Sequence, residues 1–128
     1  MAKKFEEYLI DTDVIESHLL DGKNSYLELL LQKGICFTTV LNASDLLYRV
    51  NGSNEATIIT DVLSSLKILG IHSRYSLLVP KYSKQIKNFN EALFCVVADY
   101  NKLPIVTLKK SRYIKSGLLI YHPKEIIS

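Results

Sequence analysis

Four positions in this 128-residue chain invite one piece of shared chemistry: Asp11, Asp45, Glu91 and Lys109. Asp11 follows the short apolar run Tyr8 to Ile10, and a helical pattern begins within two residues of it. An acidic side chain at the carboxyl end of a buried strand, on the turn into a helix, sits where open α/β folds place their chemistry. The plainer reading is an Asx-type cap, although Asp13 is better placed for that job. Asp45 lies in a helical segment beside Leu46 and Leu47, with Arg49 four residues on. A surface ion pair worth about 0.3–0.5 kcal/mol is its competing account. Glu91 follows Asn88 at a spacing close to that of a capping box, and a first-turn Glu is also stabilised by the helix dipole.

The elements that must carry these residues alternate between short apolar runs and helix-period segments, a pattern of βα units with a mainly parallel sheet. Strands are expected at Tyr8 to Ile10, Ile35 to Phe37, around Ile71, Pro104 to Val106 and Leu118 to Tyr121. Asp13 to Leu20 reads as a helix, with Asp13 and Glu16 at capping-box spacing and Gly22 ending it. Ser25 and Glu28 repeat that box before LELLLQK, and Gly34 is a natural C-cap. Thr39 begins a helix that stops at Asn51 and Gly52. Another runs from about Glu55 to Leu69, where Ile59, Val62, Leu63, Leu66 and Leu69 form one stripe. A helix is expected across Ser76 to Lys87, against the objection of Pro80. Glu91 to Tyr100 is apolar almost all round and therefore central.

Composition sets the outer bounds. The chain is expected to form one domain, residues 1–128, burying about two-thirds of its unfolded surface. Hydrophobic residues make up 48% and charged residues 23%, as in an ordinary globular protein. No apolar run approaches the ~20 residues of a membrane span. The N-terminus MAKKFEEYLID lacks a signal-peptide core, so a cytoplasmic location is expected. Cys36 and Cys95 lie in apolar runs without metal-binding spacing, which suits reduced, buried thiols. A formal charge of +3 favours anionic partners only mildly. Lys109, Lys110, Arg112 and Lys115 nevertheless fall in one stretch.

YLIDTDVI, TTVLNASDLLYRV and NEALFCVVADYNKLPIVTLKKSRY together resemble the PIN-domain family, most closely its small VapC-like toxin ribonucleases. The resemblance covers essentially the whole chain in order. It implies a three-layer α/β/α fold in which Asp11-Thr12 ends the first strand. Asp45 takes the place of a second acid, usually Glu. Glu91-Ala92-Leu93 takes the place of a D-A-L helix start. A further acid or Asn usually follows the next strand, where this chain has Thr107-Leu108-Lys109.

The resemblance implies metal-dependent endoribonuclease activity of toxin–antitoxin type, with Mg²⁺ or Mn²⁺ as cofactor. Converging carboxylates repel one another and either protonate or bind a cation. Asp11 and Glu91 are the expected metal ligands, with Asp45 a direct or indirect third, and all three are the catalytic candidates. Thr12 and Thr107 would orient them, and Lys109, Lys110, Arg112 and Lys115 would hold RNA backbone. Implied partners are an RNA substrate, a cognate antitoxin and a second copy of the chain. Lys109 departs from the pattern: it removes an acid and brings an ammonium within reach of Asp11 or Glu91.

That departure keeps a second reading open, a catalytically weakened PIN-like module that binds RNA or protein. A phosphoacceptor receiver domain ranks below both, because ICFTT offers no acceptor acid at the end of its strand. Tyr113 is a candidate base-stacking platform, with packing along its stem as the alternative. His18, His72 and His122 are scattered without a paired nucleophile.

Overall fold

The computed structural model describes residues 6–22 and 24–127; residues 1–5, the start of the segment read as lacking a signal, lie outside them. Among the described residues, five strands form one sheet: β1 (Glu6–Ile10), β2 (Gly34–Thr39), β3 (Lys67–Leu69), β4 (Ile105–Val106) and β5 (Ile120–Tyr121). Their order is β3-β2-β1-β4-β5, and every pairing is parallel. Tyr8 stands opposite Cys36 and Leu9 opposite Ile105.

The pleat distributes the apolar runs to two cores. Leu9 and Ile105 face one core, shared with helix α6 (Phe89–Asn101), Tyr75 and Tyr82. Tyr8, Ile10 and Val106 face the other, shared with Val14, Leu27, Leu46 and Ile59 from α1 (Thr12–Asp21), α2 (Tyr26–Lys33), α3 (Val40–Tyr48) and α4 (Ser53–Leu63). A central strand buried on both faces must be apolar throughout, which is why Tyr8 to Ile10 reads as a continuous run. The two cores make this a three-layer α/β/α domain. Among the described residues, no helix is long and apolar enough to cross a membrane.

Gly34 shows how tightly β1 and β2 approach. A Cβ there would overlap the Glu6 backbone oxygen, so only glycine fits. Its φ of −175° is extended, and it begins β2 while its N–H closes α2 onto Leu30. Both cysteines are free and buried, and burial pushes each thiol up to about 12.

Several boundaries differ from expectation. The fourth helix ends at Leu63, because the Ser64 and Ser65 hydroxyls bond back to the carbonyls of Asp61 and Val62. The next residues become β3 against β2, so the strand lies before Ile71 and Leu69 belongs to it. Ser76 to Lys87 is not one helix. It divides into a 3₁₀ turn (Ser73–Leu77) and a short α5 (Val79–Ser83), with Pro80 near the start where it displaces no helical hydrogen bond. The third helix stops at Tyr48, short of Asn51, and β2 extends through Thr39. A terminal helix α7 (Pro123–Ile127) was not anticipated.

Candidate functional site

The chain passes from β1 out to β2 and β3, then returns to β4 on the other side of β1. A crevice opens where strand order reverses in this way. Asp11 follows β1 on one wall and Thr107 follows β4 on the other. The Asp11 N–H donates to the Val106 carbonyl at 3.0 Å, which fixes the carboxylate at that point.

Asp11 is the N-cap of α1, and its side chain is only 5% exposed. One carboxylate oxygen accepts the Thr12 N–H at 2.8 Å. The other accepts from Thr107 Oγ1, the Tyr113 hydroxyl and Arg112 Nη1, each at 2.9 Å. Asp13 was expected to cap the helix. It turns instead toward β4, accepting from the Leu108 N–H at 3.2 Å and from Arg112 Nη1 at 3.2 Å. Thr107 Oγ1 is also 3.2 Å from Asp13, so its single proton serves one carboxylate at a time.

Arg112 is the centre of the cluster. Besides Asp11 and Asp13, its Nε lies 3.3 Å from Glu91 Oε2. Carboxylates from the end of β1, from α1 and from the first turn of α6 thus bracket one guanidinium. Burial raises the Asp13 carboxyl above its usual range, and the neighbouring Asp11 charge adds to this against the Leu108 hydrogen bond and Arg112. Burial likewise raises Glu91, opposed by Arg112 and Lys109. Burial opposes the charge on Arg112, but Asp11 and Asp13 outweigh it and hold the guanidinium charged. Tyr113 is pushed far up by burial and by Asp11, so it remains a phenol and a donor.

The remaining wall comes from β2 and α3. Thr39 caps α3, and its hydroxyl is 2.5 Å from Asn42 Oδ1. Asn42 Nδ2 donates to the Thr12 hydroxyl at 2.7 Å, tying α3 to α1. Asp45 lies one turn further along, 56% exposed, and pairs with Arg49 at 3.0 Å. Arg49 also reaches Glu16 at 2.7 Å. Asp11, Asp45, Glu91, Arg112, Asn42 and Tyr113 all line one open cleft of about 250 Å³.

Asp11, Asp45 and Glu91 therefore share a cleft, but only Asp11 and Glu91 share a cation. Lys109 is exposed and does not pair with either acid, as was expected of it; Arg112, three residues on, does so. Thr107 orients Asp11, whereas the Thr12 hydroxyl serves Asn42 and only its N–H serves Asp11. Lys110 pairs with Glu125 at 2.9 Å, and Lys115 is exposed. Tyr113 is no stacking platform: it is buried, its ring 5.5 Å from that of Phe94. Asp13 and Asn42 escaped sequence reasoning. For Asn42 the T-x-x-N spacing after a strand was a usable signal; for Asp13 the capping-box spacing misled.

A divalent ion does not fit this arrangement. Among the described residues, no group of three or more His, Cys, Asp or Glu is placed to hold a metal. No buried side-chain nitrogen or oxygen lacks a partner there either. An acid whose oxygens already accept four hydrogen bonds offers little to a metal until donors leave.

No protein-family model matches the sequence, and no curated protein matches it. Solved structures do. VapBC2 from Rickettsia felis, bound to a promoter DNA fragment, superposes with a TM-score of 0.77 at 16% identity, covering 91% of this chain and 98% of that one. VapBC-1 from nontypeable Haemophilus influenzae gives 0.77 at 13%, covering 92% and 98%. A toxin-antitoxin complex from Klebsiella pneumoniae gives 0.72 at 15%, covering 91% and 97%. At these identities the likeness is one of fold, and the fold is PIN-like.

Proposed function

We propose that this chain is a toxin-type PIN-like module that binds RNA and is weakened as a nuclease. The carrying observation is Arg112, whose guanidinium sits among Asp11, Asp13 and Glu91 at 2.9–3.3 Å. A cleft whose acids are already paired with an internal cation lacks the open coordination positions that metal-assisted hydrolysis requires. Lys109 and Lys115, both exposed, follow β4 and supply backbone contacts to a polyanion. The fold neighbours include a toxin-antitoxin complex, which supports an antitoxin-like protein partner for this chain.

The test is RNA titration in EDTA and again in Mg²⁺, with product analysis of the same mixtures. Binding that persists in EDTA and falls with salt, with no product above background in Mg²⁺, is expected. A second reading, a Mg²⁺- or Mn²⁺-dependent endoribonuclease, draws on one observation: Asp11, Asp45 and Glu91 line the same cleft. Mg²⁺-dependent cleavage that disappears in Asp11→Asn would establish it in place of the first.

A further inference from the structure

We propose that Arg112 is the resident cation of this cleft, an internal counter-ion that stands where the resemblance calls for a divalent metal and excludes one. The inference deepens the reading of a weakened nuclease, yet it concerns ion binding alone and is tested without RNA.

The geometry is that of a cation among ligands. Asp11 and Asp13 from the start of α1 and Glu91 from the first turn of α6 meet at one guanidinium, at 2.9, 3.2 and 3.3 Å. The Arg112 side chain is 28% exposed, against 49% for Arg49, which pairs with two acids at the surface. Asp13 decides the argument, because it would otherwise face Asp11 across a shared hydroxyl with no cation between them. The guanidinium cannot vacate the site by losing its proton, since arginine stays charged throughout the accessible pH range.

Exclusion follows from occupancy and charge. The Asp11 oxygen that accepts from Arg112 also accepts from Thr107 and Tyr113. A metal using that oxygen must first turn those donors away. Arg112 also opposes a dication electrostatically at short range. Three carboxylates against one guanidinium still leave the cluster formally negative by two. Removing Arg112 thus strands three mutually repelling acids, which protonate or capture a cation.

The backbone that carries Arg112 is anchored independently of its side chain. The Arg112 N–H donates to the Lys109 carbonyl and the Tyr113 N–H to that of Lys110. Tyr113 itself is buried and bonded to Asp11. Changing the head group therefore alters the ion balance and leaves the turn in place.

The experiment is calorimetric titration of Mn²⁺ into wild type, Arg112→Gln and Arg112→Ala, with melting temperature read in Mn²⁺ and in EDTA. Arg112→Gln keeps amide donors on a shorter stem, and so covers the case in which Arg112→Ala does not fold. Wild type is expected to bind Mn²⁺ weakly and to melt at the same temperature in both conditions. Arg112→Gln is expected to bind at least about tenfold more tightly and to melt higher in Mn²⁺ than in EDTA. Adding Asp13→Asn and Glu91→Gln should abolish the gain. Wild type binding as tightly as Arg112→Gln overturns the proposal, as does no gain in Arg112→Gln, or a gain that survives loss of Asp13 and Glu91. None of these outcomes depends on RNA, so failure here and failure of the RNA-binding reading are separable.

Discussion

Tyr113 donates its hydroxyl hydrogen to Asp11 Oδ2 at 2.9 Å across 102 residues of sequence, and so fastens the basic segment to the end of β1. Both groups are buried, and the bond is to a charged acceptor. Tyr113→Phe should cost roughly 1.5–3 kcal/mol, toward the lower end because Thr107, Arg112 and the Thr12 N–H still hold the carboxylate. Urea unfolding of the two proteins measures it. A loss below about 0.5 kcal/mol would mean that Asp11 is satisfied without the phenol.

The acids of the cleft set a pH dependence of definite sign. Asp13 and Glu91 are both raised above the ordinary carboxylate range, mainly by burial. A raised acid binds more protons folded than unfolded, so its contribution is favourable at low pH and lost as pH rises through the folded value. Asp13→Asn should therefore lose less stability than wild type between about pH 4 and pH 7. Asp99 runs the other way: hydrogen bonds from Tyr82 and Lys81 lower it, so its stabilisation is present at neutral pH and disappears on acidification. Chemical denaturation across pH for Asp13→Asn and Asp99→Asn should show slopes that differ from wild type in opposite directions.

Binding to RNA should divide the four basic residues of the 109–115 segment into two classes. Lys109 and Lys115 are exposed and make no ion pair among the described residues, whereas Lys110 is engaged by Glu125 and Arg112 by the acids. Lys109→Ala with Lys115→Ala should reduce the slope of log K against log salt by roughly 0.7 for each phosphate no longer neutralised. Lys110→Ala should change it less. Titrations at several salt concentrations decide this, and equal effects would show that the Lys110–Glu125 pair opens for RNA.

Gly34→Ala tests the packing that places Asp11. The added methyl group runs into the Glu6 carbonyl oxygen, and that backbone has little room to yield. Destabilisation of about 1–3 kcal/mol or more is expected from overpacking at this close approach of β1 and β2. Hydrogen exchange should show the loss first in the β1–β2 ladder.

The fold was legible because burial on both faces leaves a plain mark. Tyr8 to Ile10 reads as a buried strand and the run from Ala92 to Ala98 as the face of a buried helix, and all of these residues are buried. The end of the fourth helix was not, because Leu66 and Leu69 continue the helical stripe while two serine hydroxyls cap the chain out of it. The site was half legible. Asp11 and Glu91 announce themselves by position at a strand end and a helix start. Asp13 looked like a cap, since spacing alone cannot say whether a carboxylate folds back on its own helix or reaches across to Leu108. Lys109 looked like the intruding cation because it directly follows the strand-end residues, but the 3₁₀ turn at Lys110–Arg112 carries Arg112 back over the cleft.

The most direct measurement is the accumulation of cleaved RNA by the wild-type chain in Mg²⁺ and in Mn²⁺, with binding recorded on the same samples in EDTA. With Arg112 holding the acids, RNA should bind without any requirement for metal, and product should stay at the level seen with Asp11→Asn. Metal-dependent cleavage by wild type that Asp11→Asn abolishes would contradict this account, because the cleft would then take a metal with Arg112 in place.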